Sequence, residues 1–441
     1  MELKNTEMTT ILKFPSFDES ENLEQKIARY RINSENTVPV TGPPGTGKST
    51  VISHCCFDLL QAEYFPILIT APTNVMVDSI LAKIDSILQR FKIQLPRGYI
   101  IRYGNIANLV RTYPHLTKYV LDNIVEDHYN TGYSNEGENC YNKITVGKDY
   151  FQNARLILTT DYSAKDLGKL LKVGAVIVDE AGLVNLDRMG MLFSSLRDKN
   201  GKIIVIGDDK QLPPVSEDYA AESLFGSILG QYRTTLLKTE YRFNKDILDL
   251  INPYYNNKLE ADASVMDIST ADIAKKNYNG INNNLFTILK HEKNVVFVDT
   301  NGSYKEERHF TNIGEVGILK DIVEGCLSMG IKDIIVTTPY KQQERLCNLH
   351  LQNGIRIGTI DKFQGQEAEV TIISMVRSNN KMNYQEAIGF VNIPRACVAF
   401  SRSKRKTIIV GDRNTLMKNR FLAKSIDTII SKDGYLRWSD Y

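Results

Sequence analysis

The segment GPPGTGKS at residues 42–49 restricts the possible folds of this 441-residue chain more than any other feature. The apolar run VPVT precedes it, and the helix-like stretch STVISHCCFDLL begins at its last residue. The spacing GxxxxGK[ST] in that context is typical of a loop whose backbone N–H groups surround phosphate oxygens at a helix N-terminus. The segment therefore predicts one strand–loop–helix unit of a parallel α/β sheet.

The same loop supplies side chains suited to a nucleoside triphosphate and Mg²⁺. Lys48 offers a positive charge to the β- and γ-phosphates, and Ser49 offers a hydroxyl ligand to the metal. A chance glycine-rich turn is the alternative, and the complete motif between a strand and a helix makes it the weaker one. The predicted nucleotide-binding residues of this segment are Gly42, Pro43, Pro44, Gly45, Thr46, Gly47, Lys48, Ser49 and Thr50.

A second motif, AVIVDEAG at residues 175–182, ends a predicted strand with two acids. Asp179 is expected to hold Mg²⁺, directly or through water, and Glu180 to orient or deprotonate the attacking water. An Asp-Glu pair at a strand end is, by itself, equally typical of a solvated surface pair. Beside a phosphate-binding loop, the catalytic interpretation is favoured.

Short apolar runs recur along the chain, with helical or polar segments between them. This alternation predicts α/β layers with parallel strands, and two such series predict two domains, residues 1–240 and 241–441. Polar segments at about 105–153 and 261–293 are interpreted as insertions into these domains. The predicted strands are Thr37–Thr41, Ile67–Ala71, Leu156–Thr160, Ala175–Asp179, Ile203–Gly207, Val295–Asp299, Ile334–Thr338, Ile355–Thr359, Val370–Val376 and Thr407–Gly411.

Composition excludes some classes of protein without indicating a substrate. With 42% hydrophobic and 24% charged residues, the chain is neither disordered nor collagen-like. Its 54 basic and 52 acidic residues leave a net charge of +2, which neither favours nor excludes a nucleic-acid partner. The six cysteines lack zinc-site spacing, and no apolar run is long enough to span a membrane. We expect an intracellular protein without membrane association, cytoplasmic rather than nuclear and not secreted.

Several further motifs occur in a fixed order after the phosphate loop. They are APTNVMVD, IGDDKQLPPV at 206–215, EYRF at 240–243, TPYKQQ at 338–343, TIDKFQGQEAEVTIISMVRS at 359–378 and VNIPRACVAFSRSKRKTIIVGD at 391–412. With GPPGTGKS and DEAG, they make residues 22–412 resemble the superfamily 1 helicases, above all the up-frameshift-like group. Nidovirus-type helicases are the next nearest resemblance. The zinc-binding Cys/His region of the group is absent, so its recruitment of partners is not implied.

The resemblance implies two RecA-like parallel-sheet domains of the phosphate-loop NTPase type, with ATP between them and single-stranded nucleic acid across them. Three residues are thereby expected at the nucleotide. Gln25 resembles the glutamine that reads the adenine edge, and Tyr241 resembles an aromatic residue that packs on the adenine. Glu367 resembles a contact to the ribose or the nucleotide.

The catalytic roles implied by the resemblance involve three more residues. Gln211 resembles the sensor that links the γ-phosphate to the nucleic-acid site. Arg242 and Arg402 resemble two arginine fingers, which would act in addition to Lys48, Asp179 and Glu180. For Arg402 a phosphate-backbone or surface role is the alternative, since it begins the basic run RSKRK at 402–406. A nuclear-localisation role for that run is less favoured, because a predicted strand follows it.

Loops at predicted strand ends are the candidate nucleic-acid surface. Short hydroxyl and amide side chains can bond phosphate and sugar, and an aromatic ring can stack on any base. Binding of the single strand should therefore be independent of its sequence. The candidate contacts are Pro72, Thr73, Asn74, Thr159, Thr160, Pro339, Tyr340 and Thr359.

The motifs together predict an ATP-dependent helicase or translocase on single-stranded RNA or DNA. By resemblance, movement is expected from 5′ to 3′. An ATP-gated nucleic-acid clamp or recruitment module with little unwinding is the alternative, because ATP-site residues do not establish strand separation. An ATPase acting on proteins or small molecules would leave the motifs of the second domain unexplained.

Overall fold

The computed structural model describes residues 21–130, 140–167, 171–214, 223–274, 283–352 and 354–438. The chain divides into two compact units. The first comprises Met1–Pro43, Gly47–Asp209 and Pro213–Leu237, and the second comprises Pro44–Thr46, Lys210–Leu212 and Lys238–Tyr441. The main division, between Leu237 and Lys238, lies close to the predicted domain boundary at residue 240.

The described part of the first unit contains a sheet of seven strands, and every pairing in it is parallel. Its spatial order is β3-β4-β2-β5-β6-β1-β7. The strands are β1 Thr37–Thr41, β2 Ile67–Ala71, β3 Ile100–Arg102, β4 Leu156–Thr160, β5 Ala175–Val178, β6 Lys202–Gly207 and β7 Thr235–Leu236. The five strands predicted for this half are present, and β3 and β7 were not predicted.

Helices cover both faces of this sheet. They are α1 Leu23–Ser34, α2 Lys48–Gln61, α3 Asn74–Arg90, α4 Ala107–Thr112, α5 Leu121–Asn130, α6 Cys140–Asn153, α7 Asp161–Leu167, α8 Leu186–Phe193 and α9 Leu224–Leu229. The described part of the predicted insertion at 105–153 is largely helical, containing α4, α5 and α6. Residues 131–139 of that insertion lie outside the described residues.

Alternate residues of the strands enter two different apolar cores. Ile67 and Ile69 of β2 belong to one core with α2 and α3, whereas Leu68 belongs to the other with α7 and α9. In β6, Ile204 belongs to the core with α2 and α3, and Val205 belongs to the core with α7 and α9. Burial on both faces explains the near-continuous apolar runs, since neither face of such a strand meets water.

The described part of the second unit contains a parallel sheet of six strands in the order β12-β11-β13-β14-β10-β15, and a separate pair, β8-β9. These strands are β8 Thr239–Glu240, β9 Glu260–Ala261, β10 Val295–Asp299, β11 Ile334–Thr338, β12 Arg356–Thr359, β13 Ala368–Ser374, β14 Ser403–Gly411 and β15 Tyr435–Arg437. Parallel sheets in two units confirm the predicted α/β class with two RecA-like domains.

Helices of the second unit follow its strands in the same alternating manner. They are α10 Lys245–Ile251, α11 Asn283–Leu289, α12 Ile313–Ser328, α13 Lys341–His350, α14 Tyr384–Ala387, α15 Ile393–Phe400, α16 Arg413–Leu416 and α17 Arg420–Ser431. The predicted insertion at 261–293 includes α11, and residues 275–282 lie outside the described residues. In the described parts of the chain, no helix has the length and apolar character needed to cross a membrane.

Candidate nucleotide and nucleic-acid site

The phosphate loop runs from the end of β1 to the start of α2, as the motif predicts. Gly45 and Gly47 have φ angles of +77° and +83°, which side chains with a β-carbon rarely adopt. Gly47 is also the N-cap of α2, and a β-carbon there would lie 2.5 Å from Nε2 of Gln25. Glycine at position 47 is therefore favoured by the backbone angle, and a larger residue there would displace the amide of Gln25.

Lys48 is held at the first turn of α2 by two oxygen acceptors. Its Nζ donates to the Gly42 carbonyl at 2.8 Å and lies 3.2 Å from Oε1 of Glu180. The Gly42 N–H donates to the Gly207 carbonyl at 2.9 Å, which fastens the start of the loop to the end of β6. The ammonium group is thus placed beside the loop by contacts to residues that follow β1 and β5, the two strands on either side of β6.

Asp179 and Glu180 follow β5 in a strained and desolvated arrangement. Asp179 is only 5% exposed, its N–H donates to the Thr70 carbonyl, and its Oδ1 accepts from the Glu180 N–H at 2.9 Å. Burial and the adjacent charge of Glu180 raise the pKa of Asp179 to about 7, although Lys48 opposes the shift. Glu180 has φ +48°, and left-handed backbone at a residue other than glycine costs on the order of 1 kcal/mol.

These residues fit a magnesium ion that is bound together with a nucleotide. Asp179 is a buried carboxyl beside Glu180, and Ser49 lies partly exposed in the first turn of the same helix as Lys48. Within the described ranges, no cluster of three or more His, Cys, Asp or Glu residues could hold a metal. A carboxylate and a hydroxyl are oxygen ligands of the kind that Mg²⁺ takes together with waters and phosphate oxygens.

Gln25 and Gln211 are both buried. Gln25 is the third residue of α1, where its Oε1 accepts from the Asn22 N–H at 3.2 Å and its N–H donates to Asn22 Oδ1 at 2.9 Å. This capping box fixes the amide next to Gly47. The structure therefore brings Gln25 to the phosphate loop, while the roles of both glutamines at a nucleotide stay predictions.

In the second unit, Arg242 and Glu367 form an ion pair that the sequence motifs did not indicate. Arg242 Nε lies 2.6 Å from Glu367 Oε2, and Lys404 Nζ lies 2.8 Å from Oε1. Burial alone would raise the pKa of Glu367, but the charges and hydrogen bonds of Arg242 and Lys404 outweigh it and lower the pKa. Both residues were predicted near the nucleotide, and Tyr241, which precedes Arg242, is partly exposed.

Arg402 is held inside the second unit. It is 2% exposed, and its guanidinium donates to the carbonyls of Val398 at 2.9 Å, Gln366 at 2.9 Å and Phe363 at 3.2 Å. An arginine finger would have to exchange some of these carbonyls for phosphate oxygens. The finger role of Arg402 stays a prediction, with that additional requirement.

The rest of the basic run RSKRK is engaged in the same fold. Lys404 pairs with Glu367, and Arg405 Nε lies 2.6 Å from Glu369 Oε2. Lys406 is buried, and its Nζ donates to the Lys290 carbonyl at 2.9 Å. Residues 403–406 of the run form the start of β14, and the charges of Lys404, Arg405 and Lys406 are held by partners within the second unit.

The predicted nucleic-acid contacts of the first unit lie directly after β2 and at the end of β4, which are neighbours in the sheet. Pro72 and Thr73 reach the surface, and Thr73 also caps α3 by accepting from the Met76 N–H at 3.3 Å. Asn74 accepts from Arg102 Nη2 at 2.8 Å, which orients its amide. Thr159 is fully buried and Thr160 nearly so, so this edge exposes the residues after β2 far more than those of β4.

In the second unit, the ring of Tyr340 lies in an aromatic–arginine cluster of five residues. Its ring centroid is 4.9 Å from that of Phe310 and 5.6 Å from that of Phe390. The Arg377 guanidinium lies 4.9 Å from the Phe310 ring, and that of Arg395 lies 3.9 Å from the Phe390 ring. Phe310 and Phe390 are 46% and 44% exposed, whereas Tyr340 is partly buried between them.

Sequence reasoning found only Tyr340 in this aromatic–arginine cluster, because Phe310, Arg377 and Phe390 come from loops far apart in the chain and Arg395 comes from α15. Pro339 precedes Tyr340, and Thr359 ends β12, the strand beside β11, so both belong to the same sheet edge. The backbone at the cluster and directly before it is strained, since Phe310 has a φ angle of +59°, His309 before it has +65°, and Val376 before Arg377 has +70°. Strain of about 1–3 kcal/mol per residue is characteristic of functional loops.

The chain is similar to several known proteins. Two family models, each described as an AAA domain, match residues 25–217 and 220–414. The chain is 30% identical to the DNA replication ATP-dependent helicase/nuclease DNA2 of Saccharomyces cerevisiae, over 91% of this chain and 26% of that protein. It is 26% identical to the DNA polymerase alpha-associated DNA helicase A of the same yeast, over 91% of this chain and 66% of that protein.

A third relative is named as a regulator of nonsense transcripts. The chain is 25% identical to the Regulator of nonsense transcripts 1 homolog of Neurospora crassa, covering 90% of this chain and 38% of that protein. A solved structure, the arterivirus nonstructural protein 10 (helicase), is 16% identical with a TM-score of 0.45, covering 88% of this chain and 61% of that one. The chain spans about a quarter of the first relative and two thirds of the second. The ordered motifs, the two family models and the three relatives from yeast and Neurospora crassa show that the chain belongs to the superfamily 1 helicases, in the up-frameshift-like group.

Proposed function

We propose that this chain is an ATP-dependent helicase or translocase that hydrolyses ATP and moves on single-stranded RNA or DNA. The observation that carries the proposal is the placement of Lys48 between the Gly42 carbonyl and the Glu180 carboxylate, next to the desolvated Asp179. Lys48 at the start of α2 and the two acids that follow β5 supply a cation, a base and a metal ligand, which are the minimum for phosphoryl transfer to water.

In the proposed reaction, Lys48 leaves Glu180 for the β- and γ-phosphates, and Glu180 is then free to orient the attacking water and take its proton. Asp179 and Ser49 would hold Mg²⁺, which supplies positive charge to the phosphate oxygens when bound. Phosphoryl transfer requires little covalent work from the protein, so positioning and charge stabilisation account for most of the rate.

The second unit would contribute Arg242 and Arg402 as arginine fingers and Gln211 as the sensor. Arg242 would exchange Glu367 for the γ-phosphate, and Arg402 would exchange backbone carbonyls. In each case the arginine would leave its present acceptor for the γ-phosphate, which carries more negative charge. The arginine would therefore point to the nucleotide only while the triphosphate is present. Hydrolysis would thereby become a conformational signal to the nucleic-acid surface.

Single-stranded nucleic acid would bind at the carboxyl ends of the strands. In the first unit, Thr73 is exposed there, and in the second unit the aromatic–arginine cluster offers ring surface beside guanidinium groups. Rings and cations bind bases and phosphates without reading sequence. The relatives include proteins named for DNA replication and for nonsense transcripts, so we propose both RNA and DNA as substrates to be tested.

The test measures ATP hydrolysis with Mg²⁺ in the presence of matched single-stranded RNA, single-stranded DNA and blunt duplex. Single strands should stimulate hydrolysis more than the duplex does. Unwinding is measured on duplexes with a 5′ or a 3′ single-stranded tail, and we expect activity from the 5′ tail. Unwinding from the 3′ tail alone would contradict the proposed polarity. Strand-stimulated hydrolysis without unwinding would favour the clamp over the helicase.

A further inference from the structure

Glu21 is a buried acid that joins the start of α1 to the phosphate-loop helix α2. Its side chain is 0% exposed and lies just before Asn22, the N-cap of α1. Its Oε1 is 2.6 Å from Nδ1 of His54 on α2, and its Oε2 accepts from Nη1 of Arg29 on α1 at 2.7 Å. A fully desolvated carboxylate is tolerated only while such partners satisfy it.

A second contact joins the same two helices one or two turns further along. Arg29 Nε lies 2.5 Å from Asp58 Oδ2, and Asn33 Nδ2 donates to the same oxygen at 3.1 Å. Burial works against the charged guanidinium of Arg29, but hydrogen bonds and charges from Asp58 and Glu21 outweigh it and raise its pKa. Arg29 thus remains a cation that contacts both acids.

These contacts set the register of α1 along α2. Apolar contacts between helices tolerate sliding, whereas a buried charge must meet its partner within hydrogen-bond distance. The register matters because Gln25 lies between Glu21 and Arg29 in the chain, and its amide lies next to Gly47. A shift of α1 by one residue would move that amide by about 1.5 Å along the helix axis.

We infer that Glu21 and His54 are positioning residues that determine nucleotide base selectivity by holding Gln25 against the phosphate loop. The inference rests on the proposed function, since it concerns the base of the nucleotide that the loop binds. Glu21 and His54 need not touch the nucleotide. A glutamine amide presents one donor and one acceptor, which can pair with the adjacent acceptor and donor of adenine and mismatches a base that carries a carbonyl there.

The experiment compares ATP with GTP in wild type and in Gln25→Ala, Glu21→Gln, His54→Leu and His54→Asn. Two readouts are used: the ratio of kcat/KM for the two nucleotides, and equilibrium binding of fluorescent ATP and GTP analogues without hydrolysis. Wild type should prefer ATP, and Gln25→Ala should lose about tenfold of that preference, the loss expected for one or two hydrogen bonds. Glu21→Gln and His54→Leu should lose a comparable part through a raised KM for ATP, with kcat at saturating ATP within about twofold of wild type.

His54→Asn is the conservative variant, because the asparagine amide can place a donor where Nδ1 lies, and it should restore most of the selectivity. Asp85→Asn is the matched control. Asp85 is also a buried acid of the first unit, but it lies on α3 rather than beside α1 or α2. Its carboxylate accepts from the Tyr119 hydroxyl at 2.6 Å. This variant should destabilise the fold without changing the ATP-to-GTP ratio. Thermal unfolding verifies that each variant is folded.

The inference is overturned if Glu21→Gln and His54→Leu keep the wild-type ratio, or if Gln25→Ala does. It is also overturned if Asp85→Asn lowers the ratio as much as they do, since the effect would then reflect general destabilisation. A wild-type protein that binds ATP selectively but does not hydrolyse it would contradict the proposed function while leaving the binding readout to decide the inference.

Discussion

At the scale of single residues, the candidate site combines side chains whose types the motifs require with partners that no motif records. Lys48, Asp179 and Glu180 stand where the strand–loop–helix pattern predicts them. The bond from the Asp179 N–H to the Thr70 carbonyl follows only from the folded sheet. The ion pair of Arg242 with Glu367 cannot be read from a local motif either, because the two residues are 125 positions apart in the chain.

Lys48→Ala should abolish most ATP hydrolysis while leaving the fold intact. The substitution removes the cation at the β- and γ-phosphates, which should reduce kcat by about 10²–10⁴-fold. Steady-state hydrolysis and thermal unfolding provide the measurement, with Lys83→Ala, an exposed lysine of α3, as the control. Turnover close to wild type in Lys48→Ala would contradict the assignment of this loop.

Arg402→Ala should lower kcat far more than it weakens ATP binding, because a finger acts mainly on charge that develops in the transition state. It should also lower the free energy of unfolding by about 1–3 kcal/mol, since buried carbonyls lose their donor. Arg402→Lys separates the effects by keeping a charge at this position. Unchanged hydrolysis combined with weaker nucleic-acid binding and a shallower salt dependence would instead indicate a phosphate-backbone contact.

At the scale of elements, the loops that follow the strands of the second unit are constrained by a buried network behind them. Glu315 of α12 is fully buried, accepts from the Ser374 hydroxyl at 2.6 Å and from the Val376 N–H at 2.9 Å. These bonds hold the left-handed backbone at Val376, directly before Arg377. The strained backbone next to Arg377 is thus held by buried hydrogen bonds of Glu315. No periodicity of the sequence indicates these bonds.

Glu315 should make the stability of the protein depend on pH. Burial raises its pKa to about 8, although the bonds from Ser374 and Val376 oppose the shift. A raised folded-state pKa means that the folded form holds the proton more tightly than the unfolded form. Its contribution is therefore fully present below the unfolded pKa of 4.5 and is lost as pH rises through about 8.

Between those pH values, this group alone should lower the free energy of unfolding by about 1.4 kcal/mol per pH unit. Glu315→Gln cannot titrate and should remove that component. Urea unfolding at pH 5.5 and pH 8 measures the slope for both proteins. Equal slopes for wild type and Glu315→Gln would show that Glu315 remains ionised when folded.

Phe310→Ala should weaken binding of a single-stranded oligonucleotide by about tenfold, in line with 1–3 kcal/mol for one stacked base. Fluorescence anisotropy with a labelled single strand measures the affinity. Phe286→Ala, at a similarly exposed phenylalanine on α11 of the same unit, is the matched control. If the two variants bind alike, the aromatic–arginine cluster does not contact the strand.

At the scale of the whole molecule, the chain is two α/β units built on one plan, with net charge close to zero. Binding of nucleic acid must then depend on local groups rather than on a general positive field. The basic run at 402–406 illustrates this point, because its charges are paired with Glu367 and Glu369 or buried. The exposed candidates are short polar side chains and rings, which lack a set of base-edge readers.

Affinity for single strands should consequently vary little with base sequence and should decrease as salt increases. Anisotropy titrations of matched oligonucleotides, mixed-sequence and homopolymeric, from about 50 to 200 mM salt test both parts. A strong preference for one sequence would require base-edge contacts that these loops do not supply, and a flat salt response would exclude phosphate contacts.

The sequence by itself determined the fold class, ten of the strands and the composition of the phosphate loop. It could do so because a strand buried on both faces must be apolar along its length, and phosphate must be met by glycine N–H groups and a cation. The tertiary structure alone decided which side chains hold the site in place. Glu21 reaches His54, Phe310 reaches Tyr340 and Glu367 reaches Arg242 only after the chain has folded. Contacts between residues far apart in the chain depend on packing in three dimensions, and local sequence patterns carry no record of it.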